Sequence, residues 1–336
     1  MSPSSRTMTI LPKRAAGDSS PYTSSPLPSP PHNLEQYECG RAAMNHELNF
    51  WVVGGDMRQL RLAQLLSQDG HTVHVYALDA GGELLSGLIQ EDHLGSIARA
   101  DCVVLPLTVS LGGGLLNAPL SVAEHPLAPI LDRLSPRQFL CGGRVDPDPR
   151  ALPQARGLTI HDYFAREELA VANAVPTAEG AVQLAMEHLP ITIHGSRVLV
   201  LGFGRVGRIT AQRFGALGAR VSVAARKFDQ LAWAQAMGFD PQPLNHLAGW
   251  LCGYDLIVNT VPAQVLGRLE LEDVKEDCLI LDLASKPGGI DLRAAEQLEL
   301  ETIWALGLPG KVAPGSAGQA IVDTVLQILT EQEVSL

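Results

Sequence analysis

Basic residues are in short supply in this 336-residue chain: 25 lysines and arginines face 36 aspartates and glutamates, a formal charge of −11. An acidic chain of this kind lacks the electrostatic footprint of a nucleic-acid or anionic-membrane binder, so neither partner is expected. Cysteine is scarce too. The five, Cys39, Cys102, Cys141, Cys252 and Cys278, are odd in number, scattered, and never in a CxxC or Cys/His cluster. That argues against a metal site and predicts reduced thiols in a cytoplasm. Unbroken apolar runs of membrane-spanning length are missing as well. The longest stretch without charge, Cys102 to Ala123, is interrupted by Pro106, Gly112, Gly113, Gly114, Asn117 and Pro119. It reads as a buried strand leading into a loop. No apolar segment follows the N-terminal basic residues, so a secretory signal is not expected.

What is present describes a compact protein of two domains: 46% hydrophobic and 18% charged residues, at roughly 150 residues per domain. Residues 1–32 are an exception, with seven prolines and eight serines and too little apolar content to offset the entropy of ordering. Residues 1–48 are therefore expected to form a disordered extension, and Met44, just before Leu48–Val53, is an alternative start. From residue 49 short β-branched runs alternate with amphipathic stretches. Phe50–Val53, Thr72–Tyr76, Asp101–Leu105, Gln138–Cys141 and Leu158–Ile160 read as strands of an open parallel sheet of flavodoxin-like type, its strand order unread. Thr177 is a candidate N-cap for a helix running to His188, and the domain junction is placed near Val171.

The sharpest signal follows. Arg197–Leu201 reads as a strand, Gly202-Phe203-Gly204-Arg205-Val206-Gly207 as a GxGxxG turn into a helix, and Arg220–Val223 as the next strand. In that setting Gly202 permits the tight turn, Gly204 lets backbone approach a pyrophosphate, and Gly207 lets the helix sit close on the sheet. A nicotinamide dinucleotide is the expected cofactor. The second strand ends in Ala224-Ala225-Arg226-Lys227 with no carboxylate before Asp229. Arg226 and Lys227 suit a 2′-phosphate, so NADP is favoured over NAD. Thr260, Val261 and Pro262 are expected on the adenosine side, and Asp282, Ser285 and Lys286, after the strand Cys278–Asp282, on the nicotinamide side. Apolar residues between Ser316 and Thr330 suit a C-terminal helix packing back on the first domain. The expected division is 49–170 for a substrate-side domain, 171–315 for the nucleotide domain and 316–336 for that helix.

Several motifs in order carry a resemblance over residues 49–330. They are Gly54-Gly55-Asp56-Met57-Arg58-Gln59, Asn173–Gly180, Ile193-His194-Gly195-Ser196, Gly202–Gly207 with Ala225-Arg226, and Asn259-Thr260-Val261-Pro262. Asp282–Gly289 and Gly307–Pro314 complete the set. The chain resembles the family of dipicolinate synthase A subunits, the NADP-type dehydrogenase component found in spore-forming bacteria. The resemblance implies two Rossmann-like or flavodoxin-like parallel-sheet domains with a hinged cleft, a layout similar to D-2-hydroxyacid and alanine dehydrogenases. It also implies oxidation of dihydrodipicolinate, or its hydrated precursor, to dipicolinate, together with a flavoprotein B subunit in the mother-cell cytoplasm. A substrate with two carboxylates needs cations or N–H groups in the cleft. Arg58, Lys286 and Lys311 are the candidate cations, with Thr108 and Ser110 as hydroxyl donors. Lys286 and His194 are the candidate catalytic residues, His194 as proton acceptor ahead of His161 and His125. Asp56 either orients Arg58 or caps a helix. Fold-level analogy predicts an assembly of more than one copy.

Two other readings compete. A D-2-hydroxyacid or alanine dehydrogenase shares the layout, but the late catalytic histidine of the former has no counterpart, since all ten histidines lie at or before His246. A non-catalytic NADP-binding regulatory protein is the other.

Overall fold

The computed structural model describes residues 47–145 and 153–333. The Ser/Pro-rich stretch, Met44 and the expectation of disorder up to residue 46 lie outside the described residues. Two six-stranded sheets organise the rest, and every ladder in them is parallel. The first holds β1 (Asn49–Val53), β2 (Thr72–Tyr76), β3 (Ile89–Gln90), β4 (Cys102–Leu107), β5 (Phe139–Gly143) and β6 (Ile160–Asp162). The second holds β7 (Arg197–Leu201), β8 (Arg220–Ala225), β9 (Asp240–Pro243), β10 (Leu256–Asn259), β11 (Leu279–Asp282) and β12 (Thr302–Trp304). Their orders are β3-β2-β1-β4-β5-β6 and β12-β11-β10-β7-β8-β9. Both halves thus share the doubly wound order that reverses between the first and fourth strands, which settles the order that sequence left unread.

The central strands are apolar on both faces because helices cover both, the condition for a parallel sheet. Pro106, buried like the rest of β4, lies where the β4–β5 register shifts between Val104 and Leu107. A residue without an N–H is tolerated at such an irregularity. The helices are α1 (Met57–Gln68), α2 (Leu127–Leu131), α3 (Glu167–His188), α4 (Arg205–Ala216), α5 (Phe228–Ala236), α6 (Arg268–Leu271), α7 (Leu292–Gln297), α8 (Leu308–Val312) and α9 (Pro314–Glu333). Among the described residues no helix is long and apolar enough to cross a membrane.

Helix α3 corrects the sequence reading. It starts ten residues before Thr177, with Glu167 and Glu168 in its first turn where the helix dipole favours them. Pro176 therefore lies inside the helix, and the Thr177 hydroxyl is no N-cap: it donates back to the Asn173 carbonyl at 2.7 Å. Val171 sits within α3, so the passage between the two halves is a helix rather than a linker. Leu169 belongs to the first core, whereas Ala181 and Ala185 belong to the second. Helix α9 returns the other way. Its Ile321, Val322, Val325 and Leu329 join the first core against Leu60, Leu62 and Leu66 of α1. Gly318 permits that approach, since a Cβ there would lie 2.9 Å from the Arg58 carbonyl oxygen.

A buried polar bond ties α1 to the sheet beneath it. Tyr163 is fully buried; its hydroxyl donates to the Leu105 carbonyl (2.9 Å) and accepts from Gln59 Nε2 (3.2 Å). Tyr163→Phe leaves both partners unpaired, so it is expected to destabilise the protein by about 1–3 kcal/mol in denaturant unfolding. A loss below a few tenths of that unit would show that water replaces the hydroxyl.

Candidate functional site

At the carboxyl edge of the first sheet, β1 ends in Gly54 and Gly55, both with positive φ (67° and 104°), before Asp56 opens α1. Asp56 performs both roles that sequence left open. Its Oδ1 accepts from the Arg58 N–H at 2.9 Å as an N-cap, and Gln59 Oε1 accepts from the Asp56 N–H at 3.4 Å to complete a capping box. The same carboxylate grips the Arg58 guanidinium, with Nε to Oδ1 at 3.0 Å and Nη2 to Oδ2 at 2.8 Å. Arg58 Nη2 also donates to the Leu107 carbonyl at the end of β4, at 2.9 Å. The Arg58 side chain is 11% exposed, so its charge is fixed in a semi-dry position.

The segment after β4 closes over this turn. The Gly55 N–H donates to the Asn117 carbonyl (2.9 Å), and Asn117 Nδ2 donates to the Thr108 carbonyl (3.0 Å). Thr108 is thereby placed next to the carbonyl that Arg58 holds. Ser110 is not available in the same way: it is buried, and its Oγ accepts from the Gly112 N–H within its own turn at 3.1 Å. Further along, Ser121 donates to Asp79 (2.6 Å) and contacts His125 Nε2 (2.8 Å), while His125 Nδ1 meets the Tyr76 hydroxyl (3.1 Å). These bonds tie the loop back to β2. His161 is stacked on Phe139, with burial lowering its pKa, and makes no link to this turn.

The second sheet presents the dinucleotide fingerprint at its own carboxyl edge. A Cβ on Gly207 would fall on the Gly202 carbonyl oxygen, so helix α4 sits as close to β7 as backbone allows. Gly204 is the N-cap of α4, no side chain caps the helix, and a Cβ at Gly204 would meet nothing within 4 Å. Free backbone donors facing open space suit a pyrophosphate, and the residues present fit a dinucleotide. Phe203 turns its ring into the core against Phe239, so only its backbone borders the site. Arg205 and Val206 start the helix. Thr260 Oγ1 donates to the Leu201 carbonyl (2.8 Å), and Val261 packs over Gly202 next to the exposed Pro262. Ala225 is buried, whereas Arg226 and Lys227 stand exposed where β8 ends, with no carboxylate partner among the described residues.

Two sequence expectations change here. Asp282 does not face the cofactor: it is buried, and its carboxylate accepts from Asn259 Nδ2 (2.7 Å), Ala284 N–H (3.0 Å) and Gly289 N–H (2.8 Å). It shapes the loop that carries Ser285 and Lys286, both exposed, while Trp304 Nε1 pins the Ala284 carbonyl at 2.9 Å. His194 is at the wrong end. It precedes β7 and packs on Gly218, which precedes β8, so it lies at the amino edge, about 16 Å of strand away from the fingerprint. That distance removes it as a proton acceptor.

Sequence reasoning missed Asn259, the fully buried organiser of both loops, although it stood in the Asn259–Pro262 motif. It also missed Arg208, whose guanidinium lies over Phe203 (5.6 Å) and Trp233 (5.9 Å) between α4 and α5. Residue spacing carries no signal for either.

The two carboxyl edges meet. Arg205, at the start of α4, pairs with Glu167 at the start of α3 (3.2 Å), and α3 begins just beyond β6 of the first sheet. Helix α8 leaves β12 of the second sheet and sets Gly310 against Arg58 and Asp56 of the first. Exposed Lys311 follows directly. Helix α8 thus brings Lys311 to the Arg58 turn of the first sheet, with Thr108 following the Leu107 carbonyl that Arg58 holds.

Comparison with known proteins bears on the family and the fold. Residues 49–164 match the N-terminal domain of the dipicolinate synthase A subunit. The A subunit of dipicolinate synthase from Bacillus subtilis (strain 168) is 33% identical over 287 residues, 84% of this chain and 96% of that protein. The chain belongs to the family of dipicolinate synthase A subunits. The crystal structure of the dipicolinate synthase A chain from Bacillus subtilis, 32% identical, superposes with a TM-score of 0.78 over 88% of this chain and 100% of that one. Residues 168–284 match the NAD binding domain of D-isomer specific 2-hydroxyacid dehydrogenases, so this family member is built as an oxidoreductase with a nicotinamide cofactor. L-alanine dehydrogenase, 15% identical with a TM-score of 0.57 over 84% of this chain and 90% of its own, shares the fold alone.

Gly207→Ala forces α4 off the sheet. An overpacking cost of about 1–3 kcal/mol, if carried by the nucleotide site, predicts roughly five- to 150-fold weaker NAD(P)H binding in a fluorescence titration, and unchanged affinity would place the dinucleotide elsewhere.

Proposed function

We propose that this chain is the dehydrogenase component of a dipicolinate synthase, oxidising dihydrodipicolinate, or its hydrated precursor, to dipicolinate with NADP. The observation that carries this reading is the cleft's set of cations: Arg58 clamped on one wall with Lys311 beside it, and Lys286 unpaired among the described residues on the loop after β11. A substrate with carboxylates on both sides of a ring nitrogen must exchange the water around each for opposite charge or aligned donors. Arg58 Nη1 makes no bond within the described residues and suits one carboxylate, and Thr108, which follows the Leu107 carbonyl that Arg58 holds, would add a hydroxyl donor. Lys286 and Lys311 suit the other. The nicotinamide supplies the hydride acceptor. The protein's part is to hold the substrate ring in a reactive orientation, and because the product is aromatic, orientation contributes more than a strong base.

NADP preference rests on Arg226 and Lys227. They stand where an NAD enzyme places a carboxylate for the ribose 2′-hydroxyl, and the first acid beyond them is Asp229 in α5. The relative's designation as one lettered component of a synthase implies a second chain, which in this reading is a flavoprotein B subunit. More than one copy of this chain, working in the mother-cell cytoplasm of a sporulating cell, completes the reading.

The test follows pyridine absorbance in a mixture of fresh dihydrodipicolinate, made from aspartate semialdehyde and pyruvate, with this chain, NADP or NAD, and the B subunit present or absent. Product that requires this chain and prefers NADP is the expected result. Demonstrated cofactor binding without product in any combination would return the weight to another dehydrogenase or a regulatory protein. Arg226→Ala is expected to weaken NADP binding about tenfold or more, the value of one charge-assisted pair, with NAD binding unchanged. Equal effects on both cofactors would remove Arg226 from 2′-phosphate recognition.

A further inference from the structure

The Asn173–Gly180 segment of α3 has no part in the cleft contacts described above, yet it holds a costly arrangement. Asn173 is 8% exposed, and among the described residues neither its Nδ2 nor its Oδ1 has a partner. A primary amide brings two donors and an acceptor, and leaving all of them buried and unpaired is strongly unfavourable. Three residues on, Pro176 brings no N–H for the Ala172 carbonyl, and the Thr177 hydroxyl crowds the Asn173 carbonyl at 2.7 Å. The helix is therefore weakest where its one orphaned amide stands. That point is also where α3 passes from the first core, reached by Leu169, to the second, reached by Ala181.

The face involved is defined. Gly180 lies seven residues, two helical turns, beyond Asn173 and so on the same face. It receives Leu308 of α8, where a Cβ would stand 3.2 Å from the Leu308 side chain. Helix α8 in turn sets Gly310 against Arg58 and carries Lys311. A turn of α3 about Pro176 therefore moves the wall of the cleft that holds Arg58 relative to the fingerprint. Unpaired buried groups and a proline-interrupted helix are the ordinary ingredients of a two-state element.

We propose that Asn173 is a positioning residue for closure of the cleft: the arrangement described here leaves its amide unpaired, and closure around the nicotinamide nucleotide bends α3 at Pro176 and gives the amide its partners. This rests on the cofactor half of the functional reading and not on the identity of the substrate.

The experiment compares the full-length protein with Asn173→Leu, which keeps the branched shape without polar atoms, and Asn173→Ala. Melting temperature, NADPH affinity by fluorescence titration, and radius of gyration by solution scattering are each measured with and without NADPH. The parent is expected to contract on binding. Asn173→Leu is expected to raise the melting temperature without cofactor, because the unpaired amide is gone. It is also expected to bind NADPH roughly tenfold more weakly and to contract less. Asn173→Ala opens a small void, so its melting temperature is uninformative, but the same loss of affinity and contraction is expected. A leucine variant that keeps the parent's NADPH affinity and contraction, whatever its melting temperature, would overturn the proposal. A parent that binds NADPH without contracting would also overturn it and leave the cofactor reading intact, whereas a parent that binds neither NADPH nor NADH would overturn both.

Discussion

A parallel sheet whose order reverses beside its first strand leaves a gap at its carboxyl edge, and in this protein two such gaps are turned toward one another. Helix α3 imposes that geometry. It starts at the carboxyl edge of the first sheet, pairs Glu167 with Arg205 at the mouth of the fingerprint, and ends in the core of the second half. Helices α8 and α9 carry the chain back, so the crossing is made twice. The glycine turns, the Arg58 clamp and the loops after β10 and β11 acquire a common purpose only because of that double crossing.

Polar chemistry at each edge is organised in the same way, through one buried or half-buried carboxylate that serves the backbone before it serves any ligand. Asp56 caps α1 and aligns Arg58 with one side chain. Asp282 gathers Asn259 and the two N–H groups that shape the loop of Lys286. In both cases the acid is committed to positioning.

Much of this was legible in the residues. The fingerprint, its flanking strands and the basic ending of β8 are local features, readable because close backbone approach admits only glycine at Gly207 and because a missing carboxylate is visible as such. The role of Asp282 was not. Aspartate at a strand end can face a ligand or the loop behind it, and only the turn made by Gly288 and Gly289 selects the second. His194 precedes Arg197, already read as the start of the strand, so its place at the amino edge was implied by the residues and its standing in a motif drew the wrong role. The helix boundary at Thr177 failed for a related reason: Pro176 breaks an isolated helix, whereas here packing on both sides outweighs its lost hydrogen bond.

The sequence by itself determined the class of fold and the strand, glycine turn and helix of the nucleotide domain, because each depends on the chemistry of neighbouring residues along the chain. Only the tertiary structure decided which ends of the sheets face each other and which acids are consumed by backbone. Those are relations between segments far apart in the chain. They are set by how two cores share α3 and α9, a property of packing that no single segment encodes.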